Sequence, residues 1–277
     1  LKQNDFLSGD GIMGGLKNSS HTEISIRIPE LSEQKEIVQI VDQAFESIYE
    51  AKANIEKNIK NAKELFQSKL NQLFTEMPKQ ASTPLSNLCH IIGGGTPSKS
   101  NEEFYNGDIN WATVRDMKED IIENTELKIN LNAVNNSSTN IIKRGNVIIA
   151  TRVGLGKVCM ISNDTAINQD LKGIIPNNNI LPKYLFWWFK SIAKRIINEG
   201  TGATVQGVKL TFVKSLKIPL VSIYNQKEIV ETLNIMDNHV KSLLVSYEEE
   251  LKNLEELRKS ILQKAFSGEL TNKNKAA

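Results

Sequence analysis

The sequence predicts an α+β fold, one compact domain with a mixed β core carried by two long antiparallel coiled-coil helices. Three observations predict it. Residues 32–77 contain neither Gly nor Pro, and apolar residues recur at seven-residue spacing along them, Val41, Ile48, Ile55 and Ala62, with a second row at Phe45, Ile59, Phe66 and Leu73. Such recurrence on a helix makes a narrow apolar seam that needs a partner helix. A second seam, Leu233, Val240, Tyr247, Leu254 and Ile261, ends the chain. Between the seams lie short β-like runs punctuated by Gly, Asn and Asp, the texture of a separate domain.

Taken in order, residues 1–27 are Gly-rich and polar, too poor in apolar side chains for a domain of their own. Ser25 to Pro29 alternates like a strand. Residues 28–78 form the first long helix, with Ser32 as its N-cap and Glu33, Glu36 and Asp42 near the positive end of its dipole. Pro78 stops it. Residues 79–223 form the compact domain, with strands expected at Leu88–Ile92, Ile109–Val114, Asn146–Thr151, Lys157–Ile161 and Ser215–Pro219, the third an apolar run fit to be buried. Leu181 to Ile197 reads as one helix with Pro182 in its first turn and at least one of Trp187 and Trp188 buried. A Gly-rich loop follows, Gly200 to Gly207. Residues 224–277 form the second long helix and the C-terminal tail.

The composition is ordinary for a 277-residue soluble chain, 40% hydrophobic and 24% charged. No apolar run reaches 18 residues, so no membrane span is expected. The opening Leu1-Lys2-Gln3-Asn4-Asp5 is unlike a secretory signal, and a start on Leu reads as a trimmed or partial chain. Cys89 and Cys159 sit in apolar surroundings and read as buried free thiols in a reducing cytoplasm. Three histidines and two cysteines show no metal-ligand spacing, and no cofactor is implied. His90 follows Cys89 on a strand, so the two face opposite ways and cannot share a site.

Net charge is only +2, yet residues 143–217 hold twelve basic residues against three acidic ones, while the helices lean acidic, as at Glu248-Glu249-Glu250. A basic block between acidic rods suits a polyanion for the middle and protein partners for the rods, although a merely solvated surface would look similar.

An internal repeat links the two rods. Ile28-Pro29 with Gln34-Lys35-Glu36-Ile37-Val38 recurs as Ile218-Pro219 with Gln226-Lys227-Glu228-Ile229-Val230, the prolines 190 residues apart. Gly14-Gly15-Leu16-Lys17 upstream matches Gly207-Val208-Lys209. Residues 1–27 therefore read as the remnant tail of a preceding module, and the middle as a complete second one.

These features together resemble the specificity subunit of type I restriction-modification enzymes. Gly93-Gly94-Gly95-Thr96-Pro97-Ser98-Lys99 with Phe104-Tyr105-Asn106-Gly107-Asp108-Ile109-Asn110-Trp111 resembles the opening of that family's target recognition domain. Lys143-Arg144-Gly145-Asn146-Val147-Ile148-Ile149-Ala150, leading to Gly154-Leu155-Gly156-Lys157, resembles its central strand pair, and Gly200-Thr201-Gly202-Ala203-Thr204 with Gln206-Gly207 its closing loop. The resemblance implies a non-catalytic subunit that reads half of a gapped site in double-stranded DNA. It further implies methyltransferase (M) subunits docked on the helices and restriction (R) subunits joined through them. With one recognition domain reduced to residues 1–27, the chain looks like a truncated or half-subunit form, and a homodimer of half-subunits would restore two readers.

Motifs for chemistry are weak. No Pro-Pro exists to build an adenine methyltransferase signature. Gly154-Leu155-Gly156-Lys157 lacks the first Gly of a phosphate loop, where Thr151 stands, and the Ser/Thr after its Lys, where Val158 stands; a turn between strands accounts for the glycines. Gly93-Gly94-Gly95 leads into no helix that could cradle phosphate. Glu126-Leu127-Lys128 is a common triplet and a poor sign of a nuclease.

For DNA, the loop Thr96-Pro97-Ser98-Lys99 combines hydroxyls, a cation and a stiff Pro, and Arg152 stands where an apolar strand exits to a loop. Lys157 and Lys209 are phosphate candidates. Asn168 and Gln169 could meet adenine edges, and Tyr105 and Trp111 could stack or wedge, with core packing the alternative for both rings. A coiled-coil adaptor that binds nucleic acid nonspecifically is the competing function.

Overall fold

The computed structural model describes residues 7–8, 15–16, 28–78, 82–202 and 207–271. Two short strands, β1 (Leu7–Ser8) and β2 (Gly15–Leu16), pair antiparallel. Helix α1 spans Leu31–Thr75 and helix α6 Ile223–Ser267, 45 residues each. Between them lie β3 (Ser82–Pro84), β4 (Cys89–Gly93), β5 (Ile109–Ala112), β6 (Ile121–Ile122), β7 (Leu127–Ile129), α2 (Leu131–Asn135), β8 (Asn140–Ile142), β9 (Val147–Ala150), β10 (Val158–Ile161), β11 (Thr165–Ile167), β12 (Leu171–Pro176), α3 (Pro182–Ser191), α4 (Ala193–Asn198), α5 (Leu210–Ser215) and β13 (Lys217–Pro219). The α+β expectation holds. Among the described residues no helix is long and apolar enough to cross a membrane.

Two compact units divide the chain, residues 1–60 with 243–277, and residues 61–242. In the first, the early turns of α1 and the late turns of α6 run antiparallel: Glu33 accepts a hydrogen bond from Thr271 at 2.9 Å, and the Arg258 guanidinium sits 5.3 Å from the Phe45 ring centre. The seam positions Ile48 and Ile55 are buried. Ser32 does not cap α1. The helix starts one residue earlier, with the Glu30 carbonyl accepting from the Gln34 amide at 2.9 Å and the Gln34 side chain donating to the Pro29 carbonyl at 2.8 Å. The expected strand at Ser25 to Pro29 falls largely outside the described residues.

The second unit is built on two sheets, one ordered β4-β12-β9-β10-β6 and the other β7-β5-β11-β8, with β13 and β3 forming a small antiparallel pair. β10 runs parallel to β6 and β11 parallel to β5, so the core is mixed. The apolar run predicted as a strand is β9, buried on both faces because successive side chains alternate. Val147 and Ile149 face the core that contains α3, while Ile148 and Ala150 face a second core with Ala112, Ile142 and Ile167. A Cβ at Gly173 would stand 2.3 Å from Ile142, which explains why glycine occupies that point of β12.

Helix α3 presents Tyr184, Leu185, Phe186, Trp187, Trp188 and Phe189, all buried, to a core that also takes Leu70 and Phe74 of α1 and Leu233 of α6. Each such side chain contributes about 1.5–3 kcal/mol on burial. Phe66 meets Trp187 edge-on at 5.8 Å, and the Tyr184 hydroxyl donates to the Pro219 carbonyl at 2.8 Å. The single helix expected from Leu181 to Ile197 is broken at Ile192 (φ −100, ψ 9), where the Ser191 hydroxyl takes the Trp188 carbonyl at 2.7 Å. Both cysteines are buried, and burial pushes each thiol up to about 12. His90 faces outward, opposite Cys89.

Candidate nucleic-acid interface

Short connections at one end of the sheets enclose a cavity of about 750 Å³, lined among others by Thr96, Lys99, Tyr105, Trp111, Asn168 and Gln169. Six of the ten residues nominated from the sequence thus converge although they are spread over more than 70 positions. Backbone proximity brings them together. A Cβ at Gly94 would lie 2.1 Å from the Asn168 carbonyl, and the Gly95 amide donates to the Ile167 carbonyl at 3.0 Å, so only glycine lets the end of β4 lie against β11.

The Thr96–Ser100 loop is held from behind. The Tyr105 hydroxyl donates to the Pro97 carbonyl at 2.9 Å, and burial raises the Tyr105 pKa above the usual phenol value. Trp111 stands edge-on to Tyr105 at 5.9 Å and is only 4% exposed, its indole N–H shared between the Gly95 carbonyl at 3.2 Å and the Thr139 hydroxyl at 3.3 Å. Trp111 is therefore a wall of the cavity, the packing alternative left open by the sequence. Thr96 bonds Gln169, while Ser98 and Ser100 share a hydrogen bond of 2.8 Å, leaving Lys99 exposed.

Asn168 is buried and its amide is engaged, the oxygen accepting from the Asp170 amide at 3.1 Å and the nitrogen donating to the Asp170 carboxylate at 3.2 Å. It closes the turn between β11 and β12 and leaves Gln169 to present the polar edge. Arg152 projects from the exit of β9 and pairs with Asp170 at 3.5 Å, with its side chain still half exposed. Lys157 and Lys209 lie apart from the cavity. Lys157 donates to the Met117 carbonyl at 3.2 Å, and Lys209 lines a separate hollow with Glu199 and Phe212.

The basic block of residues 143–217 is not one positive face. Lys143 pairs with Asp164 at 2.8 Å, Lys172 donates to the Gln169 and Leu171 carbonyls at 3.0 and 3.1 Å, and Lys183 lies 4.9 Å from the Phe186 ring centre. Lys190 pairs with Asp120, which Lys241 of α6 also holds at 2.9 Å. Burial by itself would raise the Asp120 pKa, but the hydrogen bonds from Lys190 and Lys241 outweigh it and hold the carboxyl below its usual range. Several of these cations therefore brace the domain and its helices.

Sequence reading missed Arg115 and Val153, both on the cavity lining and both exposed. Arg115 sits in a 3-10 turn, Val114–Asp116, that replaces the end of the strand expected over Ile109–Val114. The signal was available in Thr113-Val114-Arg115-Asp116, a hydroxyl followed three residues later by a carboxylate, which is the pattern of a capping box. The glycines of the β9–β10 connection have φ of +75 at Gly154 and +85 at Gly156, as a tight turn requires. Among the described residues no group of His, Cys, Asp and Glu could hold a metal ion.

The chain is 32% identical over 253 residues to the type I restriction enzyme EcoR124I/EcoR124II specificity subunit of Escherichia coli, an alignment covering 86% of this chain and 61% of that protein. It is 27% identical over 163 residues to the MjaIX specificity subunit of Methanocaldococcus jannaschii, covering 57% and 38%. The chain thus spans less than two thirds of the length of either relative. The fold matches a chain solved in work on complex assembly and conformational transition of the type I R-M system, with a TM-score of 0.76 at 21% identity over 92% of this chain and 65% of that one. It also matches the HsdS subunit from Thermoanaerobacter tengcongensis, with a TM-score of 0.62 at 20% identity over 95% and 65%. The sequence model of the type I restriction modification DNA specificity domain matches residues 81–253, from the linker ahead of β3 well into α6, and by that match the chain belongs to this family.

Proposed function

We propose that this chain reads one half of a gapped sequence in double-stranded DNA for a type I restriction-modification complex and carries out no chemistry itself. The observation that carries this reading is the convergence of Thr96, Lys99 and Gln169 on one cavity of the family domain, with Arg152 paired to Asp170 of its lining. Cations there would neutralise phosphates, and the hydroxyl and amide would meet base edges. Lys157 and Lys209, placed elsewhere, would at most steer the duplex.

The two 45-residue helices supply the rest of the reading. Each rises roughly 68 Å at 1.5 Å per residue, enough to separate two reading heads by more than a turn of DNA. Methyltransferase subunits would dock on the helices and restriction subunits through them, in the cytoplasm. The second head would be another recognition module, from a second copy of this chain or from a longer chain. Its support is the groove of about 410 Å³ beside the first repeat, where Ile37, Val41, Leu262 and Phe266 form an apolar surface.

Competition binding tests the reading. One split sequence should displace the chain far better than random duplex at the same salt. Equal affinity for all duplexes would instead identify a nonspecific adaptor. An insertion of about one helical turn into both helices should change the preferred gap; an unchanged gap would end the spacer role. A palindromic gapped methylation site would indicate a homodimer, an asymmetric one a different second module.

A further inference from the structure

We propose that Arg115 reads a guanine of the recognised half-site through a bidentate contact to its N7 and O6, a role that rests on the DNA-reading function above. The local structure holds the residue's backbone firmly. Thr113 donates to Asp116 Oδ2 from its amide at 2.7 Å and from its hydroxyl at 2.8 Å, and its hydroxyl oxygen accepts from the Arg115 amide at 3.2 Å. The Glu126 amide takes the other Asp116 oxygen at 2.8 Å. Behind the turn, a Cβ at Gly154 would meet Val114 at 2.5 Å, so the β9–β10 connection packs directly on it.

The consequence is electrostatic. Asp116 is the natural partner for its neighbour, yet both its oxygens are occupied by backbone and hydroxyl donors. Glu126, on the same lining, pairs with Lys118 at 3.1 Å, and Asp170 pairs with Arg152. Among the described residues no carboxylate pairs with Arg115, so its guanidinium keeps its donors for an incoming acceptor. Lys99 is a point charge on a loop and suits a phosphate. A planar fork on a braced turn suits an acceptor pair of fixed geometry, and of the four bases guanine presents such a pair in the major groove.

The test is competition binding of the full 277-residue chain against duplexes varied one base pair at a time, with Arg115→Ala and Arg115→Lys beside the wild type. Arg115→Ala should lose preference for guanine at one position by roughly 10–100-fold while other positions keep theirs. Arg115→Lys should lose it too, because charge remains but the fork does not. Uniform weakening across sequences with a salt slope reduced by about one would make Arg115 a phosphate contact and overturn the proposal. An unchanged base preference, or loss of folding in both variants, would also overturn it. A wild-type chain that prefers no sequence would sink the DNA-reading function itself, a result distinct from all of these.

Discussion

The repeated segment provides two regions of near-identical sequence in different surroundings. In the copy that begins at Ile218, Ile218 and Leu233 are fully buried, and Gln226 accepts from the Leu181 amide at 2.8 Å while donating to the Asn179 and Val221 carbonyls, both at 2.9 Å. In the copy that begins at Ile28, Ile28 is 82% and Val38 57% exposed, and among the described residues the Gln34 side chain bonds only the Pro29 carbonyl. Both copies start a 45-residue helix. Both copies thus encode a helix start, and in the copy that begins at Ile218 the aromatic face of α3 covers the surface beside it. The glutamine is the clearest marker: where a module is seated it ties helix α6 to the first residue before α3.

The contrast predicts unequal responses to equal substitutions. Leu233→Ala opens a cavity in the aromatic core and should cost about 2–5 kcal/mol in urea unfolding, whereas Val41→Ala, at the matching position of the first copy, should cost about 1 kcal/mol. Similar costs would mean that the first surface is filled within the chain.

Gln226→Ala strands one amide and two carbonyls in the interior and should lose about 2–3 kcal/mol, against about 1 kcal/mol or less for Gln34→Ala. The same pair would be revealing in a complex with a second recognition module, where the Gln34 substitution should become costly for assembly.

A smaller effect is expected from Asp120, which braces the seated copy by pairing with Lys190 and Lys241. A carboxyl held below its usual pKa stabilises the fold above the unfolded value near 4, and that contribution disappears as pH falls through the lower folded value. Asp120→Asn should cost about 1 kcal/mol at neutral pH, since Lys241 is half exposed, and should flatten the acid limb of the stability profile. A profile identical to wild type would remove the brace.

The smallest effect belongs to the open copy. Ile28→Ser should leave the melting temperature of the isolated chain nearly unchanged, within about 0.5 kcal/mol. A larger loss would show that Ile28 is covered in solution.

Much of the fold was legible because its signals are local. Seven-residue spacing places Val41, Ile48 and Ile55 on one helical stripe whatever lies opposite, and in the structure Ile48 and Ile55 are buried and Val41 half-buried. The apolar run of β9 announced burial on both faces. By contrast, β11 is three residues long and pairs parallel with β5, more than 50 residues earlier, so no local pattern could reveal it. The site divides the same way. Thr96, Lys99 and Gln169 could be nominated by residue type, but Asn168 has the same chemistry as Gln169 and is consumed by Asp170.

By itself the sequence determined two seamed helices, a repeat that starts each of them and an apolar strand at the centre of the domain, because helix and strand periodicity act over a few neighbouring residues. Only the tertiary structure decided which copy of the repeat is covered, which cations are spent on bracing, and that the Asp116 carboxylate takes the Thr113 and Glu126 donors. Those outcomes depend on which groups meet after the chain has closed loops of tens of residues, and partners at such separations leave no periodic trace in the sequence.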